Sequence, residues 1–278
     1  MLPRIMLPTD GSLEGERALP YAQAIATSQG AEILLVQVVQ LPLMINDEYE
    51  GGAGWQQAFE TFESLAQANL DTLCERLRAA NVGVQQTRLL GYAASALLDF
   101  EREHKPDLVV MATHGRTGLA RFALGSIADR IVRHGTAPVL LVRTETSEVR
   151  LETALIMLDG SGLAEESLKA AKLLAGHPLR KVILFEAVTD SADRRPAATY
   201  LEGVAARLAK HEIQSEIMTD MGDPTLLFEK AASGADFVIL STHGRGGIDR
   251  FRHGSVAERV VHGSTKPVLL MRAGVVPE

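Results

Sequence analysis

This chain contains the same sequence twice, so whatever the first copy folds into, the second must fold into as well. THGRTGLARFALGS at 113–126 returns as THGRGGIDRFRHGS at 242–255, with nine residues between the first Gly and the Gly-Ser in both. The repeat reaches well beyond this stretch. RIMLPTDGS near the start recurs as ALIMLDGS at 154–161, and AEILLVQVV at 31–39 matches RKVILFEAV at 180–188, both at an offset of 149. DLVVMATHG at 107–115 matches DFVILSTHG at 236–244, and APVLLVR at 137–143 matches KPVLLMR at 266–272, now at an offset of 129. Self-similarity on this scale is a duplicated domain. The change in offset falls mostly on LPLMINDEYEGGAGWQQAFETF, 41–62, which reads as a loop leading into a long helix. The polar run TETSEV, 144–149, joins the halves. The expected domains are therefore 1–145 and 149–278, and a chain of 278 residues has room for both.

Within the first half, apolar runs at about 3–8, 32–39, 85–90, 107–113 and 138–143 predict strands. Helical spacing predicts helices near 13–29, 55–80, 94–104 and 126–134, with Ala18, Ala22, Ile25 and Ala26 on one buried face and Leu70, Leu73, Cys74 and Leu77 on another. Strands that are apolar throughout suit a parallel sheet covered on both faces. The expected fold class is α/β: two doubly wound, Rossmann-like parallel-sheet domains in tandem. Pro138 and Pro267 open the last strand of each half. Left as exposed edges, these VLL-rich strands invite aggregation, so the halves are expected to pair through them as an internal pseudo-dimer.

Composition narrows the function. The net charge is −7 and no basic stripe is present, which disfavours nucleic acid as a partner. Cys74 is the only cysteine, so no intrachain disulfide can form, as suits a reducing compartment. The first residues lack the apolar core of a signal peptide, and no stretch of about 18 apolar residues exists to span a membrane. A cytoplasmic protein is expected.

The repeated glycine stretch offers chemistry for an anion. Gly115 and Gly244 follow a strand end, where a tight turn leaves amides facing a ligand. Ser126 and Ser255 are expected to cap the next helix, with Asp129 and Glu258 three residues on. A helix start carries unpaired N–H groups and partial positive charge. Arg116 and Arg121 in one copy, and Arg245, Arg250 and Arg252 in the other, add local basic charge. No Gly-Lys-Ser/Thr is present, so this is not a P-loop. The same glycines also suit plain turns and close packing. If each half winds outward from its first strand and reverses after the third, Asp10 and Asp159 end the first strands at the point where α/β sheets bind ligands. A carboxylate there can accept ribose hydroxyls or hold a phosphate-bound metal, and it can equally well stabilise a turn. His114 and His243 have no matched nucleophile and read as turn residues, so no catalytic residue is nominated.

PTDGS, ILLVQVV, MATHGRTGLARFALGS and APVLLVR together resemble the universal stress protein family, over nearly the whole chain and in tandem. The family's ATP-binding branch carries Gly, two residues, Gly, nine residues, Gly-Ser/Thr. Here the last two elements stand in both halves, while Ala112 and Ser241 replace the first glycine. The resemblance implies ATP as the cofactor, with Asp10 and Asp159 at the ribose and at any phosphate-bound magnesium. It implies backbone contacts to adenine from Val38 and Ala187. Phosphate would be held by amides at Gly115, Gly125, Ser126 and Ile127, and at Gly244, Gly254, Ser255 and Val256. A family turn of Gly-x-Pro type is matched by GDP at 222–224 and not by GYA at 91–93, so the two sites are not expected to be equivalent. The family also implies a cytoplasmic role in the stress response and dimerisation through the last strands, here met within the chain, with a further homodimer left open. A slow ATPase, a self-phosphorylating enzyme and a scaffold with vestigial sites stay open as alternatives.

Overall fold

The computed structural model describes residues 3–40, 53–113, 124–143, 149–242 and 256–272. The first half runs β1 (Arg4–Thr9), a 3-10 turn (Gly15–Ala18), α1 (Leu19–Gln29), β2 (Glu32–Val39), α2 (Ala53–Ala79), β3 (Val84–Leu90), α3 (Ala93–His104), β4 (Leu108–Ala112), α4 (Ser126–His134) and β5 (Val139–Val142). The second half repeats the order. It has β6 (Thr153–Met157), α5 (Gly162–Glu165), α6 (Ser167–Leu173), β7 (Lys181–Val188), α7 (Arg194–Ala209), β8 (Gln214–Met221), α8 (Pro224–Ala232), β9 (Phe237–Thr242), α9 (Val256–Gly263) and β10 (Val268–Arg272).

All ten strands form one sheet in the order β3-β2-β1-β4-β5-β10-β9-β6-β7-β8. Within each half the pairing is parallel, and the first strand lies between the second and the fourth. The reversal expected after the third strand is therefore present in both halves. The halves meet where β5 and β10 pair antiparallel, with Val268 opposite Leu141, Leu269 opposite Leu140 and Leu270 opposite Val139.

Alternation along the strands distributes side chains to two cores. Leu140, Val142, Leu269 and Met271 join α1, α2, α6 and α7 on one face. Val139, Leu141, Val268 and Leu270 join α3, α4, α8 and α9 on the other. Both cores run across the seam without a break. The helical faces read from sequence are buried, including Ala18, Ala22, Ile25, Leu70, Leu73, Cys74 and Leu77.

One strand reading needs correction. β3 is not apolar throughout: VQQTRLL alternates between part-buried and exposed positions. It forms a free edge of the sheet, paired with β2 on one side only. Gln86 and Arg88 are tied to α2, with Gln86 Nε2 donating to Asp71 at 2.8 Å and Arg88 paired to Glu63 at 3.1 Å. Polar and charged groups on an edge strand discourage further pairing. β8, QSEIMTDM, ends the other side in the same way.

The seam carries a reciprocal pair of arginines. Arg143, just past β5, donates to the carbonyl of Val261 in the last turn of α9. Arg272, which ends β10, donates through Nη1 to the carbonyl of Gly135, the C-cap of α4, at 2.8 Å. Late helix carbonyls lack intrahelical partners and carry partial negative charge, so a cation there is doubly favoured. Each lobe thus holds the far end of the other lobe's α4-type helix. Replacing the buried Arg143 with Ala is expected to destabilise the chain by about 2 kcal/mol, since it leaves a charge-assisted bond unmade at a covered carbonyl. Chemical denaturation of the variant against the parent measures this.

Candidate functional site

The reversal places two strand ends side by side. β1 and β4 pair with Ile5 opposite Leu108 and Met6 opposite Val109. Continuing that register sets Asp10 level with Thr113. In the second half Ile156 lies opposite Ile239, which sets Asp159 level with Thr242. Both threonines are buried. The first and fourth strands therefore end side by side in each lobe.

Asp10 shapes its own turn. Its Oδ1 accepts from the Ser12 amide at 3.0 Å and from Ser12 Oγ at 2.6 Å, and Ser12 Oγ accepts from the Gly15 amide at 3.0 Å. A Cβ on residue 15 would lie 2.5 Å from Asp10 Oδ1, so the site requires glycine there for space. The second lobe relaxes this. Asp159 Oδ1 accepts only the Ser161 amide among these, at 3.0 Å, and Ser161 Oγ caps α5 by accepting from Ala164 at 3.1 Å. The equivalent position is accordingly Ala164, which accommodates its methyl. Gly15→Ala should cost about 1–3 kcal/mol through overpacking against Asp10. Ala164→Gly should cost under about 1 kcal/mol. Thermal or denaturant unfolding of both variants tests the asymmetry.

Beyond β4 the chain leaves and returns to the same point. The Gly125 amide donates to the Thr113 carbonyl at 2.8 Å, which closes the loop at its base. Here the capping expectation is corrected. Gly125, extended at φ −60° and ψ 150°, is the N-cap and supplies no side-chain cap bond, and Ser126 is the first helical residue. The first intrahelical bond runs from the Asp129 amide to the Gly125 carbonyl at 2.9 Å. Helix geometry therefore leaves the amides of Ser126, Ile127 and Ala128 without intrahelical acceptors. Asp129 instead pairs with Arg133 at 2.8 Å. Gly115, Arg116, Gly244, Arg245, Gly254 and Ser255 lie outside the described residues, and Val256 is described only as the first residue of α9.

The remaining candidates sit at neighbouring strand ends. Val38 lies one residue before the end of β2, opposite Leu89, and Ala187 holds the same place in β7, opposite Asp220. Both are part-buried and pack on the α3/α4-type face. Ala112 ends β4 and is buried. Ser241 is not merely a small substitute: its hydroxyl donates to the Leu163 carbonyl of α5 at 2.5 Å, tying β9 to the turn that follows β6. Asp223, in the GDP turn, caps α8 by accepting from Thr225 at 2.7 Å and Leu226 at 3.3 Å. These backbone donors hold its carboxyl below the usual carboxylate range. Tyr92 in the first lobe's GYA turn makes no such cap.

Two residues beside the site are not singled out by sequence reasoning. Gln37 in β2 and Glu186 in β7 are equivalent at the 149 offset. Gln37 is 4% exposed, and its Oε1 accepts from Asn69 Nδ2 at 2.8 Å. Glu186 keeps one oxygen, Oε2, buried with no hydrogen-bond partner. Burial lifts its carboxyl above the ordinary range, and the charges of Asp159 and Asp193 add to the rise. The sequence does carry a signal for them, as the Q in LLVQVV and the E in ILFEAV occupy one repeat position. A carboxyl whose folded pKa is raised favours folding below its unfolded pKa, and that contribution is lost as pH rises through the folded value. Glu186→Gln should therefore gain stability over the parent progressively as pH climbs above the ordinary glutamate range. Melting temperatures of the two proteins from pH 4 to 8 test the sign.

Among the described residues no cluster of three metal-ligating side chains occurs, and no helix is long and apolar enough to cross a membrane.

Comparison with known proteins now places the chain. The model of the universal stress protein family matches residues 1–143 and again 151–272. A universal stress protein of Methanocaldococcus jannaschii is 32% identical over 145 residues, covering 52% of this chain and 84% of its own. One from Mycobacterium tuberculosis strain H37Rv is 24% identical over 287 residues, covering 96% of each chain. Among solved structures, a universal stress protein from Archaeoglobus fulgidus DSM 4304 shares the fold across 98% of both chains, with a TM-score of 0.77 at 17% identity. Matched twice by the family model over nearly all its length, this chain belongs to the universal stress protein family.

Proposed function

We propose that this protein binds an adenine nucleotide, ATP, and acts in the cytoplasm as a regulatory protein of the stress response. One observation carries the reading. The pairing of β1 with β4 brings the Asp10 turn, the end of β4 and the uncapped start of α4 to one end of the sheet. That is where doubly wound sheets receive nucleotides. The donor set suits the ligand: helix-start amides for phosphate, a carboxylate for ribose hydroxyls, and the small Ala112 where backbone must come close.

In this reading Ser126 and Ile127 donate amides to phosphate. Gly125 supports them structurally, since its own amide is given to Thr113. Val38 offers backbone groups to the adenine ring. Asp10 faces the ribose, or magnesium held through the phosphates. Asp159, Ala187, Ser241 and Val256 stand in the same places in the second lobe. Gly115, Arg116, Gly244, Arg245, Gly254 and Ser255 complete the assignment from the repeat alone. Magnesium, when bound, would neutralise phosphate charge. The protein's part is to orient the nucleotide and exclude water from it.

Purified protein, denatured and analysed by chromatography, is expected to release adenine nucleotide. Added ATP should also raise the melting temperature, by an amount equivalent to about 2.7 kcal/mol at a hundredfold excess over Kd. Asp10→Ala should reduce that rise. Absence of both released nucleotide and any thermal shift contradicts the proposal. Steady phosphate release that disappears in the Asp10→Ala, Asp159→Ala double variant would point instead to a slow ATPase.

A further inference from the structure

We infer, resting on the nucleotide reading above, that Arg272 of the second lobe is a positioning residue for the phosphate-holding amides of the first. Those amides belong to Ser126 and Ile127, which open α4. Amides in a helix point along its axis, so their aim is fixed by whatever fixes the helix. Packing does only part of this. α4 has nine residues, of which only Ala128 and Ile131 are buried. Ile127 and Val132 pack part-buried against the same core.

Hydrogen bonds from outside the helix hold both of its ends. At the amino end the Gly125 amide is tied to the Thr113 carbonyl at 2.8 Å. At the carboxyl end the chain runs through a tight socket. Glu101 of α3, 1% exposed, accepts through Oε1 from the Thr136 amide at 2.5 Å, the Thr136 hydroxyl at 3.0 Å and the Ala137 amide at 2.7 Å. A Cβ on residue 135 would lie 2.6 Å from the Ile131 carbonyl oxygen and 2.7 Å from Glu101 Oε2, so the turn closes on glycine. The Gly135 carbonyl accepts from Arg272 Nη1 at 2.8 Å. Arg272 lies opposite Thr242 on β10, a strand set between β5 and β9. The helix end is therefore tethered to a fixed point of the other lobe.

The helix works as a short lever. Nine residues span about 13 Å, so a tilt of roughly 5° about the far end moves the first amides by about 1 Å. A hydrogen bond to phosphate stretched by that much is largely lost. Adenine is read elsewhere, at the end of β2, which does not depend on α4. Loosening the tether should therefore be felt by the phosphates and not by the base. The first-lobe site is complete only with the second lobe docked against it, and the tandem arrangement gains a functional reason beside the covering of two sheet edges.

The test is titration of the full chain with ATP and, separately, with adenosine, followed by NMR at the amides of Val38, Ser126 and Ile127 so that the first lobe alone is read. Arg272→Met keeps the apolar stem and removes the donor. It should weaken ATP by about tenfold, the worth of one charge-assisted hydrogen bond, and leave adenosine as in the parent. A purely structural role for Arg272 would weaken both ligands alike. Arg272→Lys restores a cationic donor and should recover most of the ATP affinity. If Arg272→Met binds ATP as the parent does, loses adenosine as much as ATP, or is not improved upon by Arg272→Lys, the inference is overturned while the nucleotide reading stands. If the parent binds neither ligand, the nucleotide reading falls and this inference with it.

Discussion

The structure depends on the parallel pairing of the first strand with the fourth. Because β1 lies between β2 and β4, the helices on its two sides lead away to opposite faces. The carboxyl ends of β1 and β4 lie side by side between them. Asp10, buried Thr113 and the start of α4 meet there for that reason. The bond from the Gly125 amide to the Thr113 carbonyl brings the chain back after its excursion, so α4 begins beside the strand it left. In the second lobe β6 pairs with β9 in the same parallel way.

A second constraint follows from duplication. Two sheets with apolar last strands cannot both leave those strands exposed. Antiparallel pairing of β5 with β10 removes both edges at once and moves the free edges outward to β3 and β8, which carry polar residues. The crossed arginines Arg143 and Arg272 fasten each lobe to the carboxyl end of the other's last helix. Those are the helices whose amino ends lie at the candidate sites. A single sheet of ten strands, with a core on each face running through the seam, is the result.

Most of this is legible in the sequence because it is carried by features with a period. Strand runs, helical stripes and the repeat itself locate the elements of the first half to within a residue or two, except that α1 begins at Leu19, after a 3-10 turn, rather than near residue 13. β3 departs from its reading because a count of apolar residues does not say which strand will stand at an edge. The capping serine shifts by one residue because Gly-Ser before an acidic residue permits either register. Gln37 and Glu186 escape notice for a different reason. A polar residue inside an apolar strand reads as an interruption until its partner is known. That partner comes from a helix some thirty residues away in the first lobe, while the matching helix position in the second lobe turns to Glu165 instead. The two copies, aligned position by position, set Gln against Glu here.

The central claim is that the first turn of α4 and the turn after β1 converge on one phosphate-bearing ligand. Amide NMR spectra recorded during an ATP titration address it most directly. The account predicts that the largest shifts, together with slowed hydrogen exchange, fall on Ser126, Ile127 and the residues following Asp10. Shifts confined to other surfaces, with these amides unmoved at saturation, would contradict it.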